Sequence, residues 1–262
     1  MKNYREQNND GGDQMIYGIR PVMEAVEAGK EIERIFINRL STSAQMKHLK
    51  QVLRDHNINW QEVPVEKLSR LTRANHQDVI CYISQISYAP VEEIVQRSFN
   101  EGKTPLLIVL DYITDVRNFG AIARTAECCG ADAIVIPSTG SAQINADAVK
   151  TSAGALNIIP VCKVDSIKNT LLYLRESGLK IYAATEKGKK NSFDADFVSP
   201  CAIIMGSEDT GVSNDLLRMA DDLLKIPLTG QIASLNVSVA CGMLLHEVLR
   251  QRSLPPSPSK GK

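Results

Sequence analysis

The sequence predicts an α/β protein in which a small α/β domain precedes a larger domain built on a parallel β-sheet. From residue 105 onward, short apolar segments alternate with segments of helical period, which is the pattern of parallel strands joined by crossover helices. The segment PLLIVLD (105–111) is apolar almost throughout, as in a strand that is covered on both faces. A chain of 262 residues is long enough for two such domains.

The first part of the chain has the elements of the small domain. A helix is expected near Pro21, where IYGIRPVMEAVEAG has apolar residues at helical spacing and a glycine at its end. Strands are predicted at IERIFIN, INWQEV and DVICYISQI, and helices at TSAQMKHLKQVLRDHN and VEKLSRLT. The expected boundaries are a disordered tail (1–15), the small domain (16–90), a linker that includes a helix (91–104), the large domain (105–252) and a disordered Pro/Ser-rich tail (253–262).

The large domain continues the alternation of strands and helices after its first strand. Further strands are predicted at ADAIVIP, IIPVCKV, LKIYAAT, CAIIMG and LLKIPL. Helices are predicted at NFGAIARTAECCG, ADAVKTSAGALN, SIKNTLLYLRESG and SNDLLRMAD, and a final helix is predicted over 234–250.

The composition excludes few function classes by itself. Thirty basic and thirty acidic residues cancel, so the net charge does not indicate a nucleic-acid partner. No apolar segment approaches the about 20 residues of a membrane-spanning helix, and MKNYREQNNDGGDQ lacks the apolar region of a secretory signal. We therefore expect a cytoplasmic protein with no membrane partner. The six cysteines and four histidines show no metal-ligand spacing, so no metal is expected.

Three loops that follow predicted strands carry unusual residues, and ligands of parallel sheets gather at the carboxyl ends of strands. In DYITDVRNFGAIARTA, Asn118 and Gly120 stand near a helix start and Arg124 lies in an otherwise small, apolar helix. One interpretation is that Asn118 caps the helix and Arg124 is an ordinary surface residue. We favour a functional Arg124, because its small apolar neighbours leave it no obvious solvated face.

The other two loops are IIMGSEDTGVS and IPLTGQIASLNVS. The first has Gly206, Glu208 and Gly211 but lacks the residues of a phosphate-binding or dinucleotide-binding loop. Because Glu208 would repel phosphate, a neutral or cationic ligand fits this loop better. The second has Ser234 and Asn236 at the start of an apolar helix, where either residue could simply be a cap. Its apolar side chains could hold a flat heterocycle; they are Ile226, Leu228 and Leu235.

Taken together, NFGAIARTAECCGA, IIMGSEDTGVS and IPLTGQIASLNVSVACGMLLHE resemble, in order and in spacing, the three motifs of the SpoU/TrmH family of RNA 2′-O-ribose methyltransferases. YGIRPVMEAV and NHQDVICYI resemble the ends of the small substrate-binding domain found ahead of that catalytic domain. The branch most similar to this chain methylates a guanosine ribose in 23S ribosomal RNA. Two positions depart from the family pattern: Val116 replaces a common proline, and Asp78 stands where glycine is usual.

The resemblance implies a SPOUT-type α/β domain with a C-terminal trefoil knot, a homodimer, and S-adenosylmethionine as the methyl donor. It places the donor contacts on Gly206, Gly211, Ile226, Leu228 and Leu235. It places the catalytic and RNA-contacting residues on Asn118, Arg124, Glu208, Ser234 and Asn236.

The family is thought to use the arginine of the first motif as general base, but a guanidinium keeps its proton far above neutral pH. We instead expect Arg124 to bind the adjacent phosphate and stabilise the developing alkoxide, with phosphate, water or Glu208 assisting deprotonation. The expected partner is structured RNA, ribosomal RNA being favoured, contacted by local basic clusters. The candidate clusters are Lys67/Arg70/Arg73 and Lys187/Lys189/Lys190.

Three other functions fit parts of the sequence. The same methyl transfer could act on transfer RNA, since only the small domain would distinguish the two substrates. An RNA-binding module without catalysis is a second alternative, which the presence of Arg124, Glu208 and Asn236 disfavours. A nicotinamide-dependent oxidoreductase is a third, disfavoured because no G-x-G-x-x-G segment is present.

Overall fold

The computed structural model describes residues 14–253 except Gln143 and Ala233. The described residues form two compact units. The first contains residues up to Ser87 together with Ile144–Asp147, and the second contains the rest of the chain from Tyr88. The two predicted tails fall largely on residues outside the described range, although residues 14 and 15 belong to a strand rather than to a tail.

The first unit is built on a four-stranded mixed sheet. Its strands are β1 (Gln14–Tyr17), β2 (Ile32–Asn38), β3 (Gln61–Val63) and β4 (Val79–Ile83), and its helices are α1 (Ile19–Glu27), α2 (Ala44–Asp55) and α3 (Val65–Leu71). The strand order is β1-β4-β2-β3, with β4 antiparallel to both of its neighbours. One face packs against α1 and α2, where Ile35, Ile37 and Cys81 meet Val22 and Leu49. Of these elements, β1 is the one that the sequence did not predict.

The loop before β4 contacts the start of α1 and so joins the two segments of the first unit that resemble the family pattern. The side-chain oxygen of Gln77 accepts a hydrogen bond from the backbone N–H of Ile19 at 3.1 Å, and so caps α1 from another part of the chain. Asp78 has a left-handed backbone with φ +66°, a conformation in which glycine is unstrained. Its carboxylate accepts a hydrogen bond from Asn38 Nδ2 at 2.9 Å, so the acidic group that departs from the family pattern is bound within the unit.

The second unit is built on a seven-stranded sheet in which every pairing is parallel. Its strands are β5 (Leu106–Asp111), β6 (Ala133–Pro137), β7 (Val161–Val164), β8 (Lys180–Ala184), β9 (Lys190–Asn191), β10 (Cys201–Gly206) and β11 (Asp222–Lys225). Its helices are α4 (Val91–Asn100), α5 (Val116–Cys128), α6 (Ala146–Thr151), α7 (Ile167–Glu176), α8 (Asn214–Met219) and α9 (Val237–Ser253), although the first two residues of α6 are grouped with the first unit. The strand order is β7-β6-β5-β10-β8-β11-β9. The predicted α/β class with a parallel sheet is therefore confirmed.

Helices cover both faces of this sheet, as the apolar strands require. On one face α4 and α7 pack against β5 and β6, with Ile94, Leu171 and Val109 in the same buried cluster. Helices α5 and α9 pack against each other, and α9 also contacts β10. The segment 91–104, predicted as a linker with a helix, thus contributes that helix to the core of the second unit, because Val91, Ile94 and Val95 are buried there.

The last helix of the chain fixes the direction in which the site residues point. It begins at Val237, three residues later than predicted, because residues 234–236 belong to neither helix nor strand. At its other end Arg252 donates hydrogen bonds to the backbone oxygens of Phe197 (2.9 Å) and Thr104 (2.7 Å). Helix α9 is thereby anchored beside the amino ends of β5 and β10, and its first residue stands at their carboxyl ends.

Two helical glycines give a matched test of the packing between helices. A Cβ on Gly120 of α5 would lie 2.8 Å from Thr151 Cβ and 2.9 Å from the backbone oxygen of Ala148. A Cβ on Gly242 of α9 would meet only Thr125 Cγ2, at 3.6 Å. Gly242 is therefore not required for close approach within the described chain, whereas Gly120 is.

We predict that Gly120→Ala lowers the free energy of unfolding by about 1–3 kcal/mol, because backbone atoms must move to admit the methyl group. Gly242→Ala should leave it unchanged or raise it by up to about 1 kcal/mol, since alanine favours the helix more than glycine does. Urea denaturation followed by circular dichroism measures both. Equal effects of the two substitutions would contradict this account of the packing.

Candidate active site

Two asparagine side chains from separate segments donate hydrogen bonds to one carboxylate oxygen of Glu208, at the carboxyl edge of the large sheet. Oε1 of Glu208 accepts hydrogen bonds from Asn118 Nδ2 at 3.1 Å, from Asn236 Nδ2, and from the backbone N–H of Val237 at 3.4 Å. Asn236 Nδ2 also donates to Asn118 Oδ1 at 3.0 Å. The sequence had singled out all three side chains, and the structure places them in one cluster, called here the Glu208 cluster.

Asn236 has two roles that the sequence left as alternatives. Its Oδ1 accepts hydrogen bonds from the backbone N–H groups of Ser238 (3.0 Å) and Val239 (3.4 Å), so Asn236 is the N-cap of α9. Because the cap fixes the orientation of the amide, its nitrogen is held toward Glu208. Ser234 is exposed and makes no hydrogen bond within the described part of the chain.

Asn118 does not cap α5, so its side chain can form hydrogen bonds within the Glu208 cluster. Asp115, and not Asn118, is the N-cap, because its Oδ1 accepts the backbone N–H of Asn118 at 2.8 Å. Val116 is the first residue of the helix, a position that suits proline but does not require it. The departure from the family pattern at Val116 therefore leaves the helix start intact.

Arg124 is exposed to solvent and makes no hydrogen bond to the Glu208 cluster among the described residues. The expectation that its neighbours leave it no solvated face was wrong, because Ile122, Ala123 and Ala126 occupy the buried face of α5 and Arg124 points away from it. Among the described residues no carboxylate or carbonyl binds its guanidinium. Arg124 is thus available to an anion from outside the chain.

The loop after β10 is a tight turn that presents Glu208. A Cβ on Gly206 would lie 2.1 Å from Gly211 C and from Val212 N, so no other residue fits there. Gly211 has φ +67°, and its N–H donates to the backbone oxygen of Ser207 at 2.9 Å. Both glycines predicted to contact a ligand are therefore also required by the loop itself.

Asp111, which the sequence analysis missed, fastens this loop to the sheet. It is only 3% exposed at the end of β5, and its Oδ2 accepts the backbone N–H of Ser213 at 2.7 Å. The sequence feature that could have identified Asp111 is its position at the end of the apolar segment PLLIVLD. A charge at the end of a buried strand needs a polar partner.

Residues 226–236 carry the apolar side chains that were predicted to hold a ligand. Ile226 and Leu235 are half-buried, Leu228 is 40% exposed and Ile232 is 77% exposed. Apolar side chains that the described chain leaves partly exposed suit a ligand with an apolar, planar part. The residues present therefore fit an adenosine-containing donor.

We also searched the described residues for a metal site, a membrane-spanning helix and a cysteine nucleophile. They contain no group of histidine, cysteine, aspartate and glutamate side chains that could hold a metal ion, and none of their helices could span a membrane. Burial raises the pKa of the Cys241 thiol in α9 to about 12, so this thiol is neutral at pH 7 and does not act as a nucleophile.

Comparison with known proteins places both units in one family. Residues 105–246 match the model of the SpoU rRNA Methylase family, and residues 15–89 match the model of the RNA 2′-O ribose methyltransferase substrate-binding domain. The 23S rRNA (guanosine-2′-O-)-methyltransferase RlmB of Vibrio parahaemolyticus is 33% identical over 249 residues, which cover 92% of this chain and 98% of that protein.

Two further proteins extend the comparison. An uncharacterized tRNA/rRNA methyltransferase of Synechocystis sp. is 34% identical over 241 residues, 91% of this chain and 62% of its own length. The crystal structure of an AdoMet-bound rRNA methyltransferase from Sinorhizobium meliloti superposes with a TM-score of 0.58 at 25% identity, over 92% of this chain and 88% of that one. The resemblance that the three motifs carried is confirmed, and the chain belongs to the SpoU rRNA methylase family, with an N-terminal RNA 2′-O ribose methyltransferase substrate-binding domain.

Proposed function

We propose that this protein transfers a methyl group from S-adenosylmethionine to the 2′-hydroxyl of a ribose in structured RNA, specifically a guanosine of 23S ribosomal RNA. The Glu208 cluster carries this proposal, because it holds a carboxylate and two amides at the edge of the sheet where ligands bind. The names of the relatives support the substrate class: one is a 23S rRNA guanosine enzyme and another is described for tRNA or rRNA.

S-adenosylmethionine, which the Sinorhizobium protein was crystallised with, would supply an electrophilic methyl group. Ile226, Leu228 and Leu235 would contact the apolar part of the donor, and the backbone at Gly206 and Gly211 would allow its close approach. Ile226 and Leu235 are half-buried and Leu228 is 40% exposed, and such partly exposed apolar side chains suit a nucleoside better than a free phosphate.

Glu208 is the group best placed to take the hydroxyl proton. All three protein donors reach Oε1, and within the described chain no donor reaches Oε2. Oε2 is therefore the oxygen available to accept the proton of a ribose hydroxyl. Asn118 and Asn236 keep the carboxylate oriented, and positioning of this kind accounts for a large part of many enzymatic rate enhancements.

Arg124 acts as an anion ligand and not as a base. A guanidinium is a poor general base, and that of Arg124 has no partner in the described chain. It would bind the phosphate next to the target ribose and stabilise negative charge that develops on the 2′-oxygen.

Recognition of the RNA would draw on local basic clusters, since the net charge is zero. Lys67, Arg70 and Arg73 are all exposed, and Lys67 Nζ lies 4.5 Å from the centre of the Phe36 ring. In the second cluster Lys187 and Lys189 are exposed, but Lys190 forms an ion pair with Asp222 at 2.9 Å. The first cluster is therefore the better candidate for a contact with phosphates.

We also propose the homodimer, the trefoil knot and the cytoplasmic location that the family resemblance implies. The dimer is supported by the exposed apolar residues Val239 and Met243, which lie one turn apart on α9 and are 51% and 43% exposed. The absence of a candidate membrane helix among the described residues is compatible with this location.

Incubation of the protein with methyl-labelled S-adenosylmethionine and total RNA from a strain lacking its gene tests the function. We expect label in 23S RNA, released on digestion as a 2′-O-methylated guanosine. Label in transfer RNA would move the proposal to the tRNA substrate. RNA binding without any transfer would favour a binding module and overturn the enzymatic proposal.

The first prediction concerns the proton acceptor. Glu208→Gln keeps an oxygen for the two amides but removes the base, so kcat should fall by about 10²–10⁴-fold. Donor binding measured by calorimetry should be unchanged, because the loop keeps its hydrogen bonds. Turnover within threefold of wild type would exclude Glu208 as the base.

The second prediction concerns the guanidinium. Arg124→Ala should lower kcat/KM by about 10²–10³-fold, and Arg124→Lys should recover only part of this loss, because a lysine cannot bind phosphate in a bidentate manner. Arg97→Lys, at an exposed position of α4, is the matched control and should leave the rate unchanged. Near-normal turnover of Arg124→Lys across pH would contradict a specific guanidinium role.

A further inference from the structure

Tyr112 stands in an unfavourable conformation at the edge of the proposed active site. It directly follows β5, its backbone has φ +56°, and its side chain is 57% exposed. Left-handed backbone is strained for a bulky aromatic residue, and an exposed aromatic ring gains little from burial. Neither feature helps the fold, and residues held in such conformations cluster at functional sites.

The ring is held in place by a neighbouring loop. A Cβ on Gly140 would lie 2.7 Å from Tyr112 Cε1 and 2.8 Å from Cδ1, so the ring can pack there only because residue 140 is glycine. The backbone N–H of Ala142 donates to the oxygen of Ile113 at 2.7 Å, which ties the same loop to the residue after the tyrosine. One face of the ring is therefore supported while much of the side chain stays open to solvent.

The position of Tyr112 connects it to the Glu208 cluster. Its predecessor Asp111 pairs with Gly206 in the parallel register of β5 and β10, two residues before Glu208. The loop after β6, which contains Gly140, leaves the sheet at the same edge. Tyr112 thus lies in the row of loops that carries the proposed chemistry, beside the loop after β6.

We propose that Tyr112 is a substrate-binding residue that stacks on a nucleobase of the RNA next to the methylated ribose. The inference rests on the proposed function and deepens it by assigning a base contact. A neutral, supported aromatic ring suits the face of a base, and such stacking tolerates any base identity. The apolar residues of 226–236 are already assigned to the donor, so the adenine of the donor does not need this ring.

The test separates stacking from a structural role by the choice of substitutions. Tyr112→Asn keeps a residue that tolerates left-handed backbone but removes the ring, whereas Tyr112→Phe keeps the ring. We expect Tyr112→Asn to raise the KM for unmodified 23S RNA by about 5- to 100-fold, with an unchanged dissociation constant for S-adenosylmethionine and an unchanged or higher melting temperature. Tyr112→Phe should stay within about twofold of wild type.

Phe99→Asn is the control, because Phe99 is a 41% exposed aromatic residue near the end of α4 and should not affect KM. Tyr112→Trp adds a direct readout: its fluorescence, after subtraction of the single native tryptophan, should be quenched when unmodified 23S RNA binds. An unchanged KM for Tyr112→Asn, or no quenching in Tyr112→Trp, would overturn the proposal. The proposal would also be overturned if Tyr112→Asn weakened donor binding, or dissociated the dimer in sedimentation experiments, enough to account for the whole rise in KM.

These results are distinguishable from a failure of the proposed function. If the wild-type protein transfers no methyl group to any RNA, the proposed function fails, and gel-shift affinities of wild type and Tyr112→Asn for the same RNA still decide the stacking proposal. If the wild-type protein is active and the two proteins bind and react alike, only the stacking proposal fails.

Discussion

The site depends on one carboxylate oxygen, Oε1 of Glu208, which accepts hydrogen bonds from two asparagine side chains and one backbone N–H. The two asparagines lie 90 and 28 residues from Glu208 in sequence. Bringing such distant segments together costs chain entropy that the cluster itself, being largely exposed, does not recover. The buried parallel sheet and the packing of α5 against α9 must therefore stabilise this arrangement.

A few residues next to the sheet hold the three segments of the cluster in place. Asp111 fastens the loop after β10, and Gly206 and Gly211 permit the tight turn that directs Glu208 outward. At the far end of α9, Arg252 anchors the helix whose N-cap is Asn236. The close contacts are thus made by residues that support the site, such as Gly206 and Asp111. The polar groups that would contact RNA remain open to solvent.

Much of the fold could be predicted because its strands are apolar and its helices amphipathic. The strand CAIIMG was predicted with the bounds observed for β10, and the three motif loops pointed to Asn118, Glu208 and Asn236. Strand β9 was missed because two residues show no periodicity. The exposure of Arg124 and the positive φ of Tyr112 could not be predicted, since both depend on which neighbouring loops pack nearby.

If the Glu208 cluster works as one unit, its members cannot contribute independently to the reaction. The most direct test is a double-mutant cycle on kcat/KM with Glu208→Gln, Asn236→Ala and the double variant, measured well below their melting temperatures. We predict that the double variant is no slower than the slower of the two single variants, because either substitution already disorganises the carboxylate. Losses that multiply in the double variant would contradict the claim that these residues form a single catalytic unit.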